Sequence, residues 1–179
     1  WSVRGLGEMP DIARLMGVGT IAIVPYYYVP DTVGMDYANV LREKLGCPAF
    51  SWQGFHHDRS GVDFDEFLQQ LKRCKESLKE IQSYPYMDLS DEEYRTWFAD
   101  ATTPIGPLHC NNVERLADIQ PNGEVNFCVD FPDYVIGNAR DSSLGEIWNG
   151  ERARRFREYR RTTPLPVCYR CGAKFMSGP

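Results

Sequence analysis

The chain has 179 residues, 42% hydrophobic and 13% aromatic, with a formal net charge of −5. That is enough for one domain, or a domain and a small module, around a buried core. The acidic balance argues against nucleic acid as a partner, because phosphate binding needs a basic face. No apolar run approaches the roughly 18 residues of a membrane span, and no basic-then-apolar leader opens the sequence. The opening Trp1-Ser2-Val3-Arg4-Gly5-Leu6-Gly7 reads as a strand or loop already inside a fold, so the expectation is a fragment or processed form of something longer.

In chain order, residues 9–17 predict a short helix with Ile12, Leu15 and Met16 on one face, broken by Gly17-Val18-Gly19. Residues 20–24, Thr-Ile-Ala-Ile-Val, form an apolar, β-branched run of the kind buried on both faces in parallel sheets, ended by Pro25. Residues 36–45 predict a helix carrying Tyr37, Val40, Leu41 and Leu45, with Gly46 as its stop. Residues 49–52 form a candidate second strand. A helix over 63–82 has a 3.6-residue stripe of Phe64, Phe67, Leu68, Leu71, Cys74, Leu78 and Ile81. Ser90 and Glu93 form a capping box for one more helix, with Tyr94, Trp97 and Phe98 inward. Strands alternating with helices imply a parallel α/β layer, and two strands are too few to close a barrel, so residues 1–102 read as part of a larger α/β fold.

Past Thr102 the character changes. Residues 103–107 are linker-like, and residues 117–128 read as a hairpin turning at Asn122-Gly123. Residues 134–138 suggest a short strand and turn. Asp141-Ser142-Ser143 caps a helix with Leu144, Ile147, Trp148, Ala153 and Phe156, ending in the basic run Arg152, Arg154, Arg155, Arg157, Arg160 and Arg161. That run reads as a solvated helix face paired with Glu151 and Glu158, against the sharper alternative of an acidic partner or phosphate site.

Four of the six cysteines, Cys110, Cys128, Cys168 and Cys171, fall in this second part. The hairpin folds Cys110 and Cys128 toward each other, and Pro164 and Pro166 stop the helix and stiffen the approach to the tight Cys168-Tyr169-Arg170-Cys171 pair. Cys-x-x-Cys is a metal-binding spacing more than a disulfide spacing. Four thiolates suit a tetrahedral zinc or an iron–sulfur cluster, and spacing alone leaves the two equal. A disulfide-bonded extracellular domain is the third alternative; nothing marks secretion, and the expected location is cytoplasmic. Cys47 and Cys74 read as buried small hydrophobes. His109 is a possible alternate ligand, and Asp130 a loop acid close to the site. Two groups after the predicted strands, Tyr26 to Tyr28 and Trp52 with His56 and His57, are candidates for lining a substrate pocket, because strand C-termini carry sites in α/β folds. The bland reading is a surface histidine pair and an aromatic packing patch.

Cys110, the Gly123-x-x-x-x-Cys128 step, Ile136-Gly137-Asn138, Ser143-Leu144-x-Glu146-Ile147-Trp148 and Cys168-x-x-Cys171 together resemble the C-terminal extension of radical SAM enzymes. The longer form, SPASM, holds two auxiliary [4Fe–4S] clusters; the shorter form, twitch, holds one. The chain lacks the further C-x5-C-x3-C segment, so the resemblance, over about residues 105–176, is to the twitch form. It implies one auxiliary [4Fe–4S] cluster on Cys110, Cys128, Cys168 and Cys171, with zinc as a possible substitute, and electron transfer or substrate placement as its task. Complete cysteine ligation favours electron transfer. The implied fold is the end of a radical-SAM-type partial (β/α) barrel over 1–102, followed by a small α+β twitch/SPASM-like module over 103–179. The radical SAM motif C-x3-C-x2-C is absent, so S-adenosylmethionine is expected only in a full-length parent, and this chain is not expected to be active alone. The implied partners are a small-molecule or peptide substrate and an electron-donor or acceptor protein. The alternative function is a zinc-stabilised structural or interaction domain with no catalytic role.

Overall fold

The computed structural model describes residues 3–57, 61–78, 82–84, 87 and 89–175. The opening Trp1 and Ser2, and the stripe position Ile81, lie outside the described residues. The chain divides into two compact units, one of residues 1–26 and 59–100, the other of residues 27–58 and 101–179. The boundary expected from sequence, between 102 and 103, is close to the third crossing of the chain between units, between 100 and 101. The segment 27–58 departs from the expectation, for it packs with the cysteine-bearing part.

In the first unit a 3-10 turn, Leu6–Glu8, leads into helix α1, Met9–Leu15. Pro10 sits in its first turn, where a missing N–H costs nothing. The inward residues are Pro10 and Ala13, and the predicted apolar face turns outward: Ile12, Leu15 and Met16 are exposed, Leu15 by 89%. The reason is a close approach. The 3-10 turn presses on the helix that follows at 64–77, with the Gly7 N–H donating to Gln70 Oε1 at 3.2 Å, and the small Ala13 faces inward.

Strand β1, Thr20–Ala22, pairs in parallel with β2, Gln82–Tyr84, in the register Thr20–Gln82, Ile21–Ser83 and Ala22–Tyr84. The predicted strand is therefore present and parallel, but it is not buried on both faces: Thr20 and Ala22 are exposed, Ile21 is half-buried and Val24 is exposed. The expected long helix is α3, Phe64–Ser77, with the Asp63 carboxylate accepting from the Glu66 N–H. Phe67, Leu71 and Cys74 lie buried on its stripe. It stops near Leu78, so Gln82 belongs to β2. Helix α4, Asp91–Ala99, starts at the predicted Ser90–Glu93 capping box and buries Tyr94, Trp97 and Phe98. The Phe67 ring meets Tyr94 and Phe98 edge-on at 5.3 and 4.9 Å.

The second unit begins with α2, Asp31–Val40, which starts after Pro30, ahead of the expected residue 36, and runs into a π-turn over Leu41–Leu45. Gly46 ends it at φ +72°, a conformation open to glycine. The expected strand over 49–52 does not form. Residues Ser51–Phe55 are a 3-10 turn, and pairing is confined to an isolated parallel bridge between Val29 and His56. The cause is Asp133. Its carboxylate accepts from the Phe50 N–H at 2.8 Å, the Ser51 N–H at 3.1 Å, the Ser51 hydroxyl, and the Tyr37 hydroxyl at 2.9 Å. Backbone donors that a ladder would need are taken by a side chain 82 or more residues further on, which also explains why 27–58 joins this unit.

The rest of the unit is α5, Asn112–Arg115, then β3, Asp118–Ile119, β4, Glu124–Asn126, and β5, Gly137–Asn138, in one antiparallel sheet of order β3-β4-β5. The hairpin turns where predicted, with Gly123 at φ +88°. The expected single basic helix is two, α6, Leu144–Trp148, and α7, Glu151–Thr162, broken at Asn149-Gly150. Ser143 and Glu146 cap α6 reciprocally. Val125, Phe127, Tyr134, Ile136, Ile147, Ala153 and Phe156 form the core between sheet and helices, with Phe156 stacked on Phe127 and Tyr134. No helix among the described residues is long and apolar enough to cross a membrane.

Gly34 on α2 is where this packing is tightest: a Cβ there would lie 2.1 Å from the Trp52 ring. Helix propensity alone favours Gly34→Ala, by up to about 1 kcal/mol. Overpacking wins here, and the variant is expected to be less stable by about 1–3 kcal/mol in urea denaturation; an unchanged or raised midpoint would contradict the packing.

Candidate metal centre

Local structure brings the four cysteines from three separate stretches. Cys110 precedes α5, and Cys128 follows β4. Cys168 lies in the 3-10 turn Pro166–Tyr169, and Cys171 closes the next bend, its N–H donating to the Cys168 carbonyl at 3.3 Å. The Cys168 N–H is held by the Leu165 carbonyl at 2.8 Å. On the hairpin side, Asn126 is fully buried, and its Oδ1 accepts from the Cys128 N–H at 3.1 Å. Its Nδ2 is a buried donor with no acceptor. The Cys128 sulfur accepts from the Phe131 N–H at 3.3 Å.

The thiols feel one another. Burial first, then the neighbouring Cys171 and Cys168, hold the Cys128 thiol far above the ordinary thiol range. Burial, then Cys168, push Cys171 up to about 12, with Cys110 and Asp130 adding to it. Cys168 is raised by burial and by Cys110, while Arg160 and Lys174 pull it back. Cys128, Cys168 and Cys171 therefore act on one another, and Cys110 acts on Cys168 and Cys171. They are not gathered tightly enough to chelate a single ion: among the described residues no group of three or more His, Cys, Asp or Glu side chains meets that requirement.

Cations complete the neighbourhood. Lys174, in the 3-10 turn Gly172–Phe175, is only 3% exposed, and its Nζ donates to the Tyr169 carbonyl at 3.0 Å. Burial lowers its pKa to about 8 against the opposing pull of Cys171, Cys168 and Cys110. Arg160 is 5% exposed and donates to the Thr163 carbonyl at 2.6 Å; Arg170 is 2% exposed and donates to the Thr103 carbonyl at 2.5 Å. Among the described residues, the buried charged side chains are Arg157, Arg160, Arg170 and Lys174, and no carboxylate is buried.

Sequence reasoning missed two contributors, Lys174 and Arg160, and read a third, Tyr27, as pocket lining together with Tyr26 and Tyr28. Tyr27 is the tyrosine on which the thiols act. Its hydroxyl donates to the Val167 carbonyl at 2.8 Å, and burial followed by Cys171, Cys168 and Cys128 raises its pKa well above normal. Lys174 is an unremarkable lysine in the sequence, and its position three residues after Cys171 was the available signal. Arg160 was legible only as part of a charge run. In place of the pairing expected for that run, with Glu151 and Glu158, its partners are Glu114, 3.7 Å from Arg157 and 3.6 Å from Arg161, and backbone carbonyls: Arg152 donates to Val135, Arg154 to Asn149, Arg155 to Lys44, and Arg157 to Val113 and Trp148. These arginines stitch α7 to the loops around it, and Arg157 stacks over Trp148 and Phe127.

The other candidates are scattered. Tyr28 is buried, and Trp52 packs under Gly34. His56 is exposed, 3.0 Å from Asp31 and edge-on to Trp52, and His57 is exposed. Tyr26 lies in the other unit, its carbonyl accepting from Trp97 Nε1 at 3.0 Å. His109 is exposed beside Cys110. Asp130 is near enough to act on Cys128 and Cys171. Cys74 is fully buried on α3, as expected, whereas Cys47 is half-buried.

Residues 110–172, about a third of the chain, match the family model of SPASM, an iron–sulfur cluster-binding domain. The match contains all four of these cysteines, so this stretch carries an iron–sulfur cluster-binding domain of the SPASM type. No curated protein and no solved structure matches the chain. The donor set fits such a group: four thiols, buried cations to offset their charge, and a spare buried amide donor at Asn126.

The raised thiols set the pH response of the metal-free, reduced protein. A thiol whose folded pKa exceeds its unfolded value favours the fold while protonated; that contribution is complete below the unfolded value of about 8.5 and fades as pH rises toward the folded one. With Cys171 near 12, the urea midpoint of the metal-free protein is expected to fall steadily above about pH 9. A midpoint that is flat or rising between about pH 8 and 10 would contradict the burial of these thiols.

Proposed function

We propose that this chain is the C-terminal part of a radical SAM oxidoreductase or maturase, and that its second unit is a twitch-type module holding one auxiliary [4Fe–4S] cluster. One observation carries the reading. Thiols from separate stretches, all within the segment that matches an iron–sulfur cluster-binding domain, act on one another, and the buried cations Arg160 and Lys174 act on them. Buried charges need partners, and thiolates bound to iron are anions of the right sign and place.

Cys110, Cys128, Cys168 and Cys171 would hold the cluster, which when bound supplies a one-electron donor or acceptor. The rest of the task falls to the protein. The Cys168–Cys171 turn fixes two ligands through backbone bonds, the hairpin and Asn126 present a third, and Tyr27, Phe55 and Phe131 pack an aromatic cluster on one side, with Tyr27 bonded to the Cys168 turn. With every ligand a cysteine of this chain, no position is left for substrate, which favours electron transfer over substrate placement.

The first unit supports the partial-barrel reading. Parallel sheets are normally covered on both faces, yet β1 is exposed and α1 turns Ile12, Leu15 and Met16 to solvent. These are surfaces that further α/β layers would cover. S-adenosylmethionine would bind in the parent enzyme, not on these cysteines. The partners that follow are a small-molecule or peptide substrate and a redox protein, in the cytoplasm.

The test is metal content after anaerobic reconstitution with iron and sulfide. Serine at any one of Cys110, Cys128, Cys168 or Cys171 is expected to remove most of the bound iron and the visible absorbance, and Cys47→Ser to leave both unchanged. One zinc per chain, with no iron and no visible absorbance in the parent sequence, would overturn the cluster reading in favour of a structural zinc domain.

A further inference from the structure

Lys174 is a buried ammonium in the turn after Cys171, where Cys171 and Cys168 favour its charge and Arg170 opposes it. Among the described residues its Nζ has one hydrogen-bond acceptor, the Tyr169 carbonyl at 3.0 Å, inside the loop that joins Cys168 to Cys171. An ammonium has three donors, and leaving a cation in an apolar interior without an anion is costly. The anions available to it are Cys171, Cys168 and Cys110, which act on it in that order. Arg160 acts on Cys168 as well, but its guanidinium is also engaged by the Thr163 carbonyl at the end of α7.

We infer that Lys174 sets the reduction potential of the metal centre, by holding a fixed positive charge against three of its four cysteine ligands. The inference rests on the cluster reading above. Reduction takes one electron from a low-potential donor and adds one negative charge to the thiolate-bound core, with no bond made or broken and no proton required. A cation held in a low-dielectric interior stabilises the more negative, reduced state more than the oxidised one. Removing it therefore makes the centre harder to reduce. Lys174 is a positioning residue for charge, not a ligand and not a catalytic residue.

The experiment compares the parent sequence with Lys174→Met, which keeps the aliphatic stem, and Lys174→Arg, which keeps the charge. Each is reconstituted anaerobically, assayed for iron and sulfide, and titrated with dithionite against mediator dyes. Lys174→Met is expected to bind the parent's iron but to lose at least tenfold in its reduction equilibrium, a downward shift of about 59 mV for one electron. Lys174→Arg is expected to stay within about threefold of the parent, because a charge at the same place has the same sign of effect. If Lys174→Met fails to load iron while Lys174→Arg loads it at the parent potential, the charge serves assembly of the centre and the inference about its potential is overturned. Full iron in Lys174→Met at an unshifted potential overturns the inference. So does failure of both variants to load, or Lys174→Arg shifted as far as Lys174→Met, since either marks a packing role. A parent sequence that binds no iron marks failure of the cluster reading instead, and is seen before any potential is measured.

Discussion

The buried Cys171 and the half-buried Cys128 and Cys168 act on one another and are acted on by the buried cations Lys174 and Arg160, and each set of charges is costly without the other. Cys128, Cys168 and Cys171 are pushed out of the ordinary thiol range by burial and by each other. Lys174 and Arg160 are buried, and among the described residues no carboxylate is buried with them. A protein interior accepts isolated charges of one sign only at high cost. Protonated thiols relieve half of the problem and leave the cations in excess. Metal-bound thiolates relieve all of it, exchanging protons for metal and giving each cation an anion to face.

The scaffold of the second unit follows from that need. Thiols that interact this strongly must be held from several directions, and each hold is a backbone or buried side-chain contact. The Cys168–Cys171 bend is set by the Leu165 and Cys168 carbonyls, the hairpin end by Asn126, and the intervening loop by Asp133, which reaches back to Tyr37, Phe50 and Ser51. Asp133 explains why residues 27–58 belong with the cysteines rather than with the preceding helix. It brings Tyr27 and Phe55 against Phe131, a few residues from Cys128. A structural carboxylate thus assembles an aromatic cluster three residues from Cys128 in the chain.

What could be read from sequence was what local chemistry dictates. The Asn122-Gly123 turn, the caps at Ser90 and Ser143, the α3 stripe and the Gly46 stop all depend on residues near one another in the chain, and all are found. The misreadings share a cause, which is a partner far away in sequence. Residues 49–52 have strand propensity, but Asp133 takes their N–H groups. The arginines of α7 have carboxylates one turn away, yet bond to carbonyls of distant loops. Lys174 and Tyr27 carry no motif, and only the fold shows that they sit among thiols. The run at 20–24 has the composition of a buried parallel strand, and it does pair in parallel, but with one short strand and exposed faces.

The central claim is that the four thiols are ligands of one iron–sulfur cluster. Mössbauer spectroscopy of the chain reconstituted anaerobically with ⁵⁷Fe and sulfide tests it most directly. The account predicts about four iron and four sulfide per chain, all in the quadrupole doublets of a thiolate-ligated [4Fe–4S]²⁺ centre. Iron that remains mononuclear or adventitious, with zinc bound in its place, would contradict it.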